Sequence, residues 1–242
     1  MTNSLKFTLP SMFSNSVEKF ADKTSVVFTG EKNYTYKQMG DDVDLLAGML
    51  TKLGVQQNEK VAILSTNMPN WGVAFFAISK LGAIVVPILP DFHEKEVKTI
   101  IEHSEAKLLF VSEELYKNIN EEASGLVEEI ILINNFSIIP KGTSVKQIKN
   151  LESSLPSEKI ELPQVEIDEE DLASIIYTSG TTGNSKGVML SHKNLAWTTQ
   201  QARSLYQVKT VDRFLSVLPL SHTLENTVGF LLAIKNGASV HY

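Results

Sequence analysis

Ten consecutive residues, Thr178-Ser179-Gly180-Thr181-Thr182-Gly183-Asn184-Ser185-Lys186-Gly187, combine glycine, hydroxyl groups and one lysine as no other stretch of the chain does. Six of the ten are Gly or Thr. Glycine permits positive φ and lets a backbone approach a ligand closely. Successive N–H groups in such a turn form a concave nest for anions, and hydroxyls add further donors. Lys186 supplies a point charge near the end of the run. These are the parts needed to hold a polyphosphate. A flexible hairpin loop would also be rich in Gly and Thr, but it needs neither this density of hydroxyls nor the lysine.

The run is not a Walker A loop. That motif reads GxxxxGK followed by Ser or Thr, whereas Gly180, Gly183 and Gly187 are three and four apart, and Gly187 stands where the magnesium-binding hydroxyl would be. A strand over 173–177 leads into the run, and Val188-Met189-Leu190 reads as a strand leading out. A helix over 194–206 follows, with Ser191 as candidate N-cap. The order strand, loop, strand, helix means that phosphates would not rest on a helix N-terminus.

His222, in Pro219-Leu220-Ser221-His222, stands at a strand-to-helix junction, where a histidine is commonly structural. Glu225, three residues on, would share a helix face with it, and a solvated helix position accounts for it equally well. Gly229 could admit a substrate tail or serve helix packing. His93, His103, His192 and His241 are scattered, so no metal cluster is expected from them.

The elements that must position these residues alternate along the chain. Leu45, Leu46, Met49, Leu50 and Leu53 recur at helical spacing over 38–53, with Gly54 as C-cap. A buried strand over 61–64 follows, then a helix from Pro69 to about Leu81 with Trp71, Phe75 and Ile78 on its inner stripe. That aromatic stripe reads as core. A strand over 84–86 is closed by Pro87 and Pro90, a helix over 94–103 leads to a strand over 108–111, and one more strand covers 128–133. Continuous apolar strands separated by helices predict an α/β fold of largely parallel sheets covered by helices. Residues 140–166, rich in Ser, Lys, Glu and Pro, read as a surface connection or subdomain boundary, and the acidic run 168–171 as a solvated turn.

The chain has 242 residues, 43% of them hydrophobic, and a net charge of −6. That balance argues against a dedicated nucleic-acid binder. With no cysteine, a disulfide framework, a thiolate metal site and a cysteine nucleophile are all excluded. The N-terminus lacks a secretory signal pattern, and the longest clean apolar stretch, 71–78, is far short of the roughly 20 residues of a membrane span. A cytoplasmic protein is expected.

YTSGTTGNSKGVMLSH resembles the signature of the adenylate-forming (AMP-binding) superfamily, with Ser185 where Pro is common. NMPNWGVAFFAISKLGAIVVPILP resembles that family's early helix–strand unit, DLASIIYTSGTTG its usual lead-in, and LPLSHTLENTVGFLLAIKNGASV the following segment as found in long-chain acyl-CoA synthetases. The likeness runs from about Met12 to Tyr242. It implies an enzyme in which a carboxylate attacks the α-phosphate of ATP, and the acyl group then passes from the acyl-adenylate to coenzyme A. Carried onto this sequence, Thr178, Ser179, Gly180, Thr181, Thr182 and Gly183 would cover the β- and γ-phosphates. Thr178 would contact Mg2+, Lys186 would steady the terminal phosphates, and His222 would lie beside the carboxylate and acyl pocket in a catalytic role.

The resemblance also implies what the chain should lack. After Tyr242 the family continues with an adenine-contacting segment ending in Thr-Glu, a ribose-binding Asp and a small C-terminal domain with a catalytic Lys. The 242 residues are therefore expected to be the N-terminal part of a large AMP-binding domain, with the small C-terminal domain absent and no activity alone. The implied partners are ATP, a fatty acid, most simply a long-chain one, and coenzyme A. A fatty substrate is compatible with loose membrane association, although no amphipathic anchor is evident. A non-catalytic scaffold that keeps the fold, or a ligase for another carboxylic acid, are the alternatives.

Overall fold

The computed structural model describes residues 7–30, 33–178 and 186–242. Helix α1 (Leu9–Phe20) starts on the Thr8 hydroxyl, which accepts from the Ser11 N–H. Strands β1 (Thr24–Val27) and β2 (Tyr34–Thr35) follow. Helix α2 (Tyr36–Lys52) opens with a reciprocal cap between Thr35 and Gln38. Strand β3 (Lys60–Leu64), helix α3 (Pro69–Lys80) and strand β4 (Ile84–Ile88) form one right-sized crossover unit, and helix α4 (Glu94–Ser104) and strand β5 (Ala106–Val111) continue it. A short α5 (Glu121–Gly125) leads to β6 (Glu129–Leu132) and β7 (Ser137–Ile139). Then come β8 (Leu172–Thr178), β9 (Lys186–Ser191), helix α6 (His192–Leu205), β10 (Arg213–Leu215), a π-helical stretch over Glu225–Leu231 that continues as α7 (Leu232–Asn236), and β11 (Ser239–His241).

Two sheets result. The larger has the order β7-β6-β5-β3-β4-β8-β9, parallel from β6 to β8 and closed at each edge by an antiparallel strand. The smaller has the order β10-β11-β1-β2. The α/β architecture expected from the apolar runs is present. Alternation along a strand explains how both faces of the large sheet are covered. Val61 and Ile63 point into a cluster with α1, α2, α3 and α7 that reaches Val26 and Val240 of the smaller sheet. Ala62 and Leu64 point the other way, against Val97, Ile100 and Ile101 of α4.

Two details differ from the sequence reading. Pro87 does not end its strand: β4 runs to Ile88, with Pro87 opposite Ile63. Proline is tolerated in a strand where the ladder on one side has ended, and β8 is registered with β4 at Val85–Ser174 alone. Helix α6 begins at His192, two residues earlier than the spacing suggested, while Ser191 caps it as expected by accepting from the Asn194 N–H. Residues 140–166 contain one short 3-10 turn, Ile148–Asn150, and their later part reaches α2, where Lys159 pairs with Asp41 and Asp44 at 2.8 Å each and Ile160 packs over Gly48.

His192 is a buried packing residue rather than a ligand. The Leu9 N–H donates to its Nδ1 at 3.3 Å, tying the start of α1 to α6, and Nε2 is buried without a partner among the described residues. Burial outweighs the nearby Asp171 charge and pushes the imidazole pKa down to about 4. Its folded pKa is therefore below its unfolded value, so on acidification the unfolded chain takes up this proton first. Stability should be lost as pH falls from about 6.5 to about 4, by roughly 3 kcal/mol from this group. Urea denaturation at pH 7 and pH 4.5 measures it, and His192→Asn should flatten that segment of the profile.

Candidate functional site

The signature run begins at the end of β8 and ends at the start of β9, and these strands form an antiparallel hairpin with Thr178 directly opposite Lys186. Directly opposed residues project from the same face of a sheet, with Cβ atoms about 5 Å apart. A hydroxyl and an ammonium, both exposed, therefore stand side by side where the chain enters and leaves the loop. The expected order of strand, loop, strand and helix is what the fold contains. Ser179, Gly180, Thr181, Thr182 and Gly183 lie outside the described residues.

One residue back, the side chains point the other way and are buried. Tyr177 is 2% exposed, and its hydroxyl lies 2.7 Å from His103 Nδ1 of α4. Burial pushes its phenol pKa up, so the phenol remains protonated at neutral pH. Its register partner is Gly187, where an added Cβ would fall 2.8 Å from Ile175 Cγ2 and 3.3 Å from the Tyr177 ring. The glycine after Lys186 is thus required by close packing. It seats the tyrosine that anchors the base of the loop to α4.

His222 is exposed, at the turn before the π-helical stretch. The Leu224 N–H donates to His222 Nδ1 at 3.3 Å. In the neutral ring this assigns the proton to Nε2, which is then available to donate to an acceptor such as a carboxylate. Ser221 Oγ and both amide atoms of Asn226 are buried with no hydrogen-bond partner among the described residues. Such orphans are rare in packed interiors and call for a reason beyond packing.

Glu225 is not solvated, which settles one of the two accounts of it. It is 8% exposed, and the Ser216 hydroxyl donates to its Oε1 at 2.7 Å. A Cβ at Gly229 would fall 2.5 Å from the same Oε1, so Gly229 makes room for this carboxylate.

Asn67 is the residue that sequence reasoning missed. Its amide nitrogen donates to Ser216 Oγ at 2.9 Å and to the Leu218 carbonyl at 2.7 Å, while its Oδ1 accepts from the Leu220 N–H at 2.9 Å. One side chain therefore clamps the segment that ends in His222. No spacing could have signalled this, because the partners lie far apart in sequence. The clamp also locates the histidine. β3, β4 and β8 run parallel and adjacent, so Asn67, just past β3, and Thr178, at the end of β8, leave the same carboxyl edge of the sheet. They are two strand spacings apart laterally, roughly 10 Å. Open α/β sheets bind ligands outside that edge. Asn67→Ala should cost about 1–3 kcal/mol. It should also speed hydrogen exchange at the Leu220 amide, read by mass spectrometry, while β8 and β9 stay protected.

Among the described residues no group of three His, Cys, Asp or Glu side chains could hold a metal ion, and no helix is long and apolar enough to cross a membrane. The donors at the hairpin, an ammonium and a hydroxyl, fit phosphate oxygens. They offer a cation one hydroxyl.

The chain is similar to known proteins. The crotonobetaine/carnitine–CoA ligase of Citrobacter koseri is 27% identical over 222 residues, covering 88% of this chain and 42% of the ligase. Its counterpart from Escherichia coli is 26% identical over 238 residues, covering 96% and 45%. The solved fatty acyl CoA synthetase of Mycobacterium tuberculosis superposes with a TM-score of 0.79 at 22% identity, covering 98% of this chain and 45% of the other. ATP-bound MatB of Rhodopseudomonas palustris gives 0.77 at 22%, covering 96% and 45%. The chain spans less than half the length of the curated relatives it matches, and the two structures at these identities speak for the fold. The sequence model of one family, AMP-binding enzyme, matches residues 13–242, nearly the whole α/β unit with its hairpin and histidine turn, and the chain belongs to that family.

Proposed function

We propose that this chain is the N-terminal, phosphate-holding part of an ATP-dependent acid–CoA ligase. The observation that carries the reading is the Thr178–Lys186 pair across the mouth of the glycine- and threonine-rich run. The triphosphate of ATP lies over the hairpin, with Ser179, Gly180, Thr181, Thr182 and Gly183 covering the β- and γ-phosphates and Lys186 neutralising charge on the departing pyrophosphate. Through its hydroxyl, Thr178 would hold the Mg2+ that accompanies the nucleotide, which would supply charge neutralisation there. His222 donates from Nε2 to the substrate carboxylate and aligns it for attack at the α-phosphate. Holding both reactants at one sheet edge supplies catalysis by positioning and electrostatics. Coenzyme A is the acyl acceptor.

The resemblance of the LPLSHTLE segment to long-chain acyl-CoA synthetases favours a long-chain fatty acid. A short, polar acid is the second reading, favoured by the names of the curated relatives. Incubated with MgATP and palmitate, the 242-residue chain should bind nucleotide without forming palmitoyl-adenylate. Robust adenylate formation contradicts the proposed division of labour, and failure to bind ATP contradicts the function. Repeating the nucleotide titration with palmitate or crotonobetaine present separates the two acids, because only the true substrate should tighten ATP binding.

A further inference from the structure

A groove of about 490 Å3 lies between α1, α6 and α7, and none of its lining side chains is acidic. Three of them are cations: Lys19 on α1, Arg203 on α6 and Lys235 on α7. Among the described residues none of the three lies within 4 Å of a carboxylate. The chain as a whole carries a net charge of −6, so three cations around one acid-free groove reverse its sign locally. Lys235 is also half-buried, and burial together with the neighbouring Arg203 charge disfavours its ammonium form. Lys19 and Arg203 are exposed, and the one half-buried ammonium, Lys235, is the costly one unless an anion meets it. Between the cations the floor is apolar, made by Met12, Phe20 and Ala196.

We propose that this groove binds a single-chain amphiphile with an anionic head. The head sits among Lys19, Arg203 and Lys235, and the first part of the chain lies along Met12, Phe20 and Ala196. The volume falls in the range of small-molecule sites, about 300–1,000 Å3. The groove shares no residue with the hairpin, so the inference stands apart from the ligase reading.

The test uses the 242-residue chain and four probes below their micelle concentrations: decanoate, decyl phosphate, inorganic phosphate and decyltrimethylammonium. Calorimetric titration should give saturable binding of decanoate or decyl phosphate, and whichever binds more tightly identifies the head as carboxylate or phosphate. Inorganic phosphate and the cationic detergent should bind at least about tenfold more weakly. Arg203→Gln with Lys235→Gln should weaken the anionic amphiphile by about tenfold or more at an unchanged melting temperature, whereas Lys186→Ala should leave it unchanged. Equal binding of decyltrimethylammonium, indifference to the Arg203/Lys235 variant, or binding only of anionic vesicles with no saturable monomer site would each overturn the proposal.

Discussion

Gly72→Ala and Phe230→Ala should each destabilise the protein, and the double variant should cost clearly less than their sum. A Cβ at Gly72 would fall 2.6 Å from Phe230 Cζ and 2.9 Å from Met39 Cε, all within the main core. Overpacking of this kind costs about 1–3 kcal/mol. Phe230 is fully buried, with Trp71, Phe75 and Phe76 around it at ring-centroid distances of 6.1, 6.4 and 5.6 Å. Removing it leaves a cavity worth about 3–5 kcal/mol. In the double variant the new methyl enters the space that the ring has left, so a coupling of about 1 kcal/mol or more should appear. Urea denaturation of the four proteins measures it. Strict additivity would mean that α3 and the π-helical stretch do not meet at Gly72. The contact matters for function because α3 begins just after the Asn67 clamp and the π-helical stretch begins just after His222. If these two elements separate, the clamp loses its footing.

Much of this frame could be read from the sequence because its signals are local. Pro69 followed by an apolar stripe specified α3, whose residues from Trp71 to Ser79 are all buried. The run at 61–64, apolar at every position, specified a strand covered on both faces, and β3 has core on each side. The apolar segments on either side of the glycine- and threonine-rich run read as strands, and β8 and β9 are those strands, which the fold pairs antiparallel. What stayed illegible depends on partners distant in sequence. For Glu225 a face shared with His222 and a solvated helix position fitted the sequence equally well, because nothing beside it predicts that the Ser216 hydroxyl and the space left by Gly229 would take its carboxylate inside. Asn67 drew no reading from the sequence, since its three hydrogen bonds all go to the segment preceding His222. Pro87 was read as a stop because a missing N–H usually is one, and only the short registry with β8 allows it inside β4.

The proposed phosphate site at the hairpin makes the second strong prediction. Lys186→Ala removes the ammonium that stands opposite Thr178, and Thr178→Ala removes the hydroxyl. Hydrogen bonds to charged groups contribute about 1.5–3 kcal/mol. Each variant should therefore weaken ATP or pyrophosphate by about tenfold to a hundredfold, with the lysine change the larger. Both residues are exposed, so melting temperatures should hold. Gly187→Ala should act differently, since its Cβ would strike Ile175 and Tyr177 and disturb the hairpin itself, lowering stability and affinity together.

The most direct measurement is a calorimetric titration of the 242-residue chain with pyrophosphate at fixed magnesium, run in parallel on Lys186→Ala. Weak, saturable binding is expected, and the substitution should reduce it at least about tenfold without altering the fold. Absence of binding to the unaltered chain, or equal affinity in the two proteins, would contradict the proposed phosphate site.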